Sequence, residues 1–581
     1  MISKRTILLL MAVWVFGTIY YQEYNKKKQL LATPTLNNIS VRSINGTDPL
    51  RIQDLSSFEV ISKIYEGLYT YHCFKRPFQL VPNLAEGMPI VSSDGLVYTF
   101  KIKKAVIFQD DICFRNGKGR ELKAADFVFS LKRVVDPKNT VPYLALIDGK
   151  IKGLDAWKEQ ADYAQEVEGL KALDDYTLQI TLTQPCATFL NFLAMPIAFV
   201  VAKEAVVHYG SEFLNHPVGT GPFMLEGGFN PQAKQLTFVK NPTFREVLFP
   251  AEGDALYRPI IERYAGKRLP LVDKVVTDII VEDQPRWLKM KNGEIDMQHV
   301  SDASFILGLT GPKGELLPEW SKQRLVLEQV PAARTELFIY NHSHEIFKNS
   351  YVRQAMSMAF DRVSYNQKFY KGTAQVAQSL VPPLLMDNAN GLEDPYGYNL
   401  ERAKEYLAKA GFPGGQGFPV VTLDIRPETS FKDKAEFFAQ CMAHIGIQVQ
   451  VVTNIWTELL NKVTKGATMM HMLTWCSDYP DLSTFFDIIM DKKLAGLHYE
   501  NTTFNGLLHK AMQTVNEAER KRLYVELNKM VAEEVPMICA VHPSLQMLYY
   551  NWVNNVPCND FSGSLDAYIA VDMAEKVKAT K

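Results

Sequence analysis

Two charged residues stand where an α/β sheet would place a ligand. Arg426 follows one short β-rich run and Asp478 follows another. Trp475 and Tyr479 flank the aspartate, and Trp456 opens the helix between the two runs. In open α/β sheets the ligand crevice lies outside the carboxyl ends of the strands. If both runs share one sheet, a guanidinium fork and a carboxylate reach the same rim. That pairing suits a zwitterion, the arginine taking a carboxylate, the aspartate an ammonium, and the rings forming apolar walls. Spacing alone leaves a second reading open, in which both are ordinary surface charges.

Covalent chemistry has no comparable footing. The chain has no G-x-S-x-G elbow, no Walker A loop and no G-x-G-x-x-G. Gly219-Thr220-Gly221-Pro222 lacks the spacing and the lysine of a phosphate loop. His342-Ser343-His344-Glu345 is the best metal-like cluster, but Lys348 follows Glu345-Ile346-Phe347 where H-E-x-x-H needs histidine. A solvated loop before a helix over residues 351–362 is the expectation there. No cofactor, no metal and no enzymatic activity is expected.

The elements that must position the charges are legible over residues 418–478. Residues 420–425 read as a strand closed by Arg426-Pro427. Ser430 is the expected N-cap of a helix in which Ala435, Phe438, Ala439, Met442 and Ile445 recur at helical spacing. Gly446 stops it. Residues 448–453 form the next strand, so the unit is β-α-β with parallel strands. A helix over 456–465, ended by Gly466, leads to an apolar strand over 469–475. Helices are also expected over 124–135, ending at Asp136-Pro137, and over 401–410, between Asn399 and Gly411.

Lys+Arg 63 against Asp+Glu 64 gives a net charge of −1, which removes the footprint of a nucleic-acid binder. Apolar and charged fractions of 47% and 22% exclude disorder and a polytopic membrane protein. The 581 residues would suit about four domains, yet no repeat or linker divides them, and strands alternate with helices throughout, as in α/β architecture. Phe 32, Tyr 26 and Trp 7 exceed ordinary needs and hint at a ring-lined cavity. Lys4 and Arg5 before an apolar run over residues 6–21 give the layout of an export signal. No A-x-A site follows, so residues 1–28 are either a signal peptide or a membrane anchor through 6–21. Seven cysteines without C-x-x-C exclude a zinc ribbon. Cys73 and Cys113 could pair; Cys441 and Cys539 read as buried apolar residues.

Several segments, in order, carry a family likeness: Ile64-Tyr65-Glu66-Gly67-Leu68, Pro82-Asn83-Leu84-Ala85-Glu86, Ser93-Asp94-Gly95-Leu96 and Lys123-Ala124-Ala125-Asp126-Phe127. Val218-Gly219-Thr220-Gly221-Pro222, Gly293-Glu294-Ile295-Asp296 and Val352-Arg353-Gln354-Ala355 continue the series. From about residue 38 onward the chain resembles the extracellular solute-binding proteins of peptide ABC importers, the oligopeptide- and dipeptide-binding class of family 5. The resemblance implies an α/β, two-lobed periplasmic-binding-protein fold with an extra subdomain in lobe one. Residues 38–78, 215–333 and 544–575 would form the main part of lobe one, 79–214 its subdomain, and 334–543 lobe two.

By the same resemblance, Asp478 of Trp475-Cys476-Ser477-Asp478-Tyr479 would pair with a peptide's ammonium. Trp456, Trp475 and Tyr479 would be walls, and Arg426 would hold the carboxylate as in dipeptide binders. Cys476, with Ser57 and Phe58 from the first segment of lobe one, completes the expected ligand-binding set. In oligopeptide binders the cysteine matching Cys476 is disulfide-bonded; here its partner position falls near Ala333-Arg334, so Cys476 should remain a thiol. Those binders also carry an arginine where this chain has Met472. The implied partners are short peptides and an inner-membrane ABC permease, with no nucleic acid, the protein acting as a monomer in the periplasm. The alternatives are a nickel chelate, haem, an oligosaccharide or a murein peptide as ligand, or a membrane-anchored sensor or chaperone-like protein.

Overall fold

A computed structural model describes residues 33–41, 44–52, 54–300, 308–386, 394–490, 495–556 and 561–579. The expected signal or anchor over 1–28 and Cys558 lie outside them.

One half of the molecule is organised by a five-stranded sheet in the order Val449–Thr453, Val421–Ile425, Met470–Cys476, Arg334–Tyr340, Met537–Cys539. Its central strand, Arg334–Tyr340, is buried almost end to end. Leu337 and Ile339 enter one apolar core while Phe338 and Tyr340 enter another. Alternating side chains thus find helices on both faces, which is why the run reads as continuously apolar. The β-α-β unit is present: Val421–Ile425 pairs in parallel with Val449–Thr453 and with Met470–Cys476. The intervening helix, Thr429–Ala443, buries Ala435, Phe438 and Met442. It starts before Ser430, with Glu428 at the N-cap. Gly446 ends this unit at φ +84°, and a Cβ there would stand 2.2 Å from the Gly414 carbonyl oxygen. Only glycine fits both the conformation and the contact.

The other half is built on two further sheets. In one, Thr35–Ser40 pairs in parallel with Lys274–Ile279, followed by Gln235–Lys240 and Phe223–Leu225. In the other, Ser544–Tyr550 lies between Met297–His299 and Leu325–Pro331. The C-terminal part of the chain therefore returns to this half. An antiparallel sheet of Ile90–Val91, Val97–Lys101, Thr177–Thr181 and Leu170–Asp174 shares its core. Against it lies the helix Ala124–Val135, with Phe127, Leu131 and Val134 buried.

Two neighbouring strands carry the chain between the halves. Pro331 stands opposite Ser544 in the antiparallel ladder, so both crossings lie side by side. Such a pair of crossings is hinge geometry. Away from it the halves also touch: the Ala187 amide donates to the Met512 carbonyl at 3.0 Å, and Gln513 Nε2 to Gln184 Oε1 at 3.2 Å.

Three expectations are corrected. The helix expected over 351–362 is two, Ser350–Ala359 and Arg362–Tyr370, because Asp361 accepts from the Ser364 amide and caps the second. The 342–345 segment is not a solvated loop: His342 is buried, its Nε2 lies 2.9 Å from the Pro536 carbonyl, and burial lowers its pKa to about 4. Cys73 and Cys113 do not pair; both are thiols, and burial pushes Cys73 up to about 12. Cys441 and Cys539 are buried, as their apolar settings suggested.

Candidate functional site

The strand Met470–Cys476 points its carboxyl end into the cleft between the halves. Across the sheet, Arg334 stands opposite Cys476, and one step further the Ser477 amide donates to the Ala333 carbonyl at 3.0 Å. The place of a disulfide partner is thus taken by arginine, and Cys476 is an exposed thiol.

Asp478, the next residue out of the ladder, makes no hydrogen bond or ion pair among the described residues. Its side chain meets water in the cleft, but the two halves exclude most of the bulk solvent around it. Burial pushes its carboxyl pKa from 3.8 up to about 6. An enclosed carboxylate without a counter-charge is costly, and a cationic ligand group would remove that cost. Asp481, three residues on, has the opposite fate. It is buried, accepts from the Tyr524 hydroxyl at 2.8 Å and from the Ser483 amide at 3.0 Å, and lies 3.6 Å from Arg520.

From the facing half, Tyr143 comes close to this carboxylate: burial raises its hydroxyl pKa, and Asp478, Asp54 and Cys476 add to the effect. Asp54 caps the helix Leu55–Ile61, accepting from the Ser57 amide at 2.8 Å. Ser57 is itself buried, donating its hydroxyl to Asp54 at 2.8 Å, so its role is to hold the helix start. Phe58 is half-buried against the core on this side. One turn on, Glu59 lies 3.4 Å from His299. Burial raises its pKa against the pull of His299, Lys63 and Arg334. Leu55, Glu59, Gln298, His299, Arg334 and Asp566 line one continuous pocket at the hinge end.

The expected aromatic walls divide. Trp456 is 44% exposed and stacks on Arg426, whose guanidinium lies 5.1 Å from its ring and 5.1 Å from that of Phe431. Arg426 also pairs with Glu428 at 2.6 Å. Trp475 donates its indole N–H to the Thr484 carbonyl at 2.8 Å and packs into the core of its own half. Tyr479 is 3% exposed and joins the core of the opposite half, its hydroxyl bonded to Thr188 and Ser483. Tyr143, Glu59, His299, Gln298 and Arg334 were missed by the sequence. Only the Arg334–Cys476 alignment carried a signal that could have found one of them.

A family model described as bacterial extracellular solute-binding proteins, family 5 Middle, matches residues 79–495. Heme-binding protein A of Haemophilus influenzae is 27% identical over 516 residues, covering 86% of this chain and 85% of its own. The dipeptide-binding protein of Escherichia coli is 26% identical, covering 80% and 82%. Among solved structures, the periplasmic binding protein DppA of Helicobacter pylori, in complex with the peptide STSA, superposes with a TM-score of 0.73 at 25% identity. It covers 94% of this chain and 99% of its own. The two-lobed periplasmic-binding-protein fold is shared.

Proposed function

From the premise that this chain belongs to the bacterial extracellular solute-binding proteins of family 5, we propose that it captures short peptides between its lobes and delivers them to an ABC permease. The observation that carries this reading is Asp478, a carboxylate enclosed between the lobes, without a protein counter-charge, its pKa pushed up to about 6. A peptide's ammonium supplies the missing cation, and the charged hydrogen bond formed there is among the stronger polar contacts. Peptide backbone pairs with strand edges around it, giving affinity independent of sequence. Cys476, Phe58 and Tyr143 surround the amino end, while Arg426 and Trp456 form the outer rim. Closure about the paired crossings at Pro331 and Ser544 then sequesters the ligand.

The protein acts as a monomer outside the cytoplasm, exported through residues 1–28 and either released or tethered by them. Relatives whose names specify a dipeptide and di- or tripeptides support a short ligand. Calorimetry with di- to pentapeptides tests the reading: free peptides bind, and N-acetylated ones bind at least tenfold more weakly, about 1.4 kcal/mol. Equal affinity for both forms defeats the role of Asp478.

The 27% identity to Heme-binding protein A favours haem as the second reading. A saturable change in haem absorbance on titration, with no heat from peptides, would select it.

A further inference from the structure

The hinge end of the cleft has features that the ammonium site does not use. Gln298 is 3% exposed, lines the pocket there, and its Nε2 has no hydrogen-bond partner among the described residues. A buried amide N–H without an acceptor is uncommon and points to a missing acceptor group. Arg334 lines the same pocket. The other charges are matched to one another: Lys63 lies 3.1 Å from Asp566, and His299 lies 3.4 Å from Glu59. Asn38 Nδ2 also donates to Asp566, at 3.2 Å.

We propose that Arg334 and Gln298 form a subsite for the carboxylate of the bound peptide, so that the cleft is measured for di- and tripeptides. This rests on the peptide reading above and adds an orientation to it: amino end at Asp478, carboxyl end toward the hinge. The ladder fixes the span. Arg334 is paired with Cys476, so their Cα atoms lie about 5 Å apart, and Asp478 is two residues further on. At about 3.3 Å per residue, the two backbones are on the order of 8 Å apart. A peptide advances about 3.5 Å per residue when extended, so two or three residues bridge them.

Arg426 sits differently. Two residues on from the Asp424–His471 pair, it is level with Leu473, five residues short of Asp478. That separation is roughly 16 Å along the strand and requires a longer ligand. Its guanidinium is also held by Glu428 at 2.6 Å. The choice between the two arginines therefore decides ligand length.

The test is calorimetry on the protein with alanine di- and tripeptides, their C-terminal amides and their N-acetyl forms. In the wild type the acid should bind about tenfold or more better than the amide, as expected for a charge-assisted contact. Arg334→Gln should bring that ratio close to one while leaving the N-acetylation penalty in place. Gln298→Met, an apolar replacement of similar volume, should narrow it several-fold, and stands in if Arg334→Gln does not fold. Arg426→Gln should weaken acid and amide alike. An acid-to-amide ratio that persists in folded Arg334→Gln or Gln298→Met, or that collapses in Arg426→Gln, overturns the subsite while peptide binding stands. A wild type that binds no peptide overturns the peptide reading and the subsite together.

Discussion

The sheet of lobe two has an inner and an outer rim, and they treat charge in opposite ways. On the outer rim, Arg426 is sandwiched between Phe431 and Trp456 and paired with Glu428. On the inner rim, Asp478 has no partner among the described residues and is enclosed enough for its pKa to rise to about 6. Both charges leave strands of one sheet, and both lie near rings. The difference is what the neighbouring chain supplies: a glutamate two residues along in one case, only the opposite lobe in the other. Strand order brings a charge to a rim; packing decides whether it remains available to a ligand.

The largest effect should come from the inner rim. Asp478→Asn removes the only charge that the reading gives to the ammonium, and losing one partner of an enclosed charge pair costs about 2–5 kcal/mol. Calorimetry should show loss of about 30-fold or more for free peptides and little change for N-acetylated ones. An equal loss for both would place the aspartate in the scaffold instead.

Acid should do the same reversibly. Below pH about 6 Asp478 is protonated in the ligand-free protein, so the ammonium must displace a proton. Affinity should fall up to about tenfold per pH unit below that value and level off above it. Stability of the unliganded protein should move the other way. The folded pKa lies above the ordinary 3.8, so the folded state binds the extra proton between those values. This group's contribution therefore improves as pH falls from 6 toward 4 and is lost as pH rises through 6. In Asp478→Asn both trends should vanish.

Tyr479→Phe keeps the ring in the opposite lobe and deletes the hydroxyl that reaches Thr188 and Ser483. A loss of about 1 kcal/mol is expected, shared between affinity and the compactness seen by small-angle scattering. Undiminished closure would show that the ring alone latches the lobes. Arg426→Ala should be the mildest. A partly exposed pair and a cation–π stack are worth about 1 kcal/mol or less each, so melting temperature and affinity should shift only slightly. A loss as large as that of Asp478→Asn would erase the distinction between the rims.

Much of lobe two was legible because its signals are local. The β-α-β unit came from periodicity over residues 418–453, and its edges moved by only a residue or so. Asn399 caps its helix through a bond to the Arg402 amide, as the sequence suggested. The helix expected over 351–362 failed because the Asp361 cap competes with continued apolar spacing. At the site, Asp478 was found through its motif, but Tyr479 and Ser57 were read as ligand-facing when both are buried. Neither error is visible in one dimension. Tyr479 is an aromatic beside a binding aspartate until the other lobe, almost 300 residues earlier at Thr188, is known to receive it.

The sequence by itself determined the α/β class, the family and the motif carrying Asp478, since each depends on residue types at short spacing. Tertiary structure alone decided which charges are available. Arg334 meets Cys476 through a pairing between distant strands. Gln298 reaches the pocket through a strand that pairs with Ser544–Tyr550. The raised pKa of Asp478 arises from solvent excluded by both lobes at once. Desolvation is a property of everything that surrounds a group, and no local stretch of chain contains it.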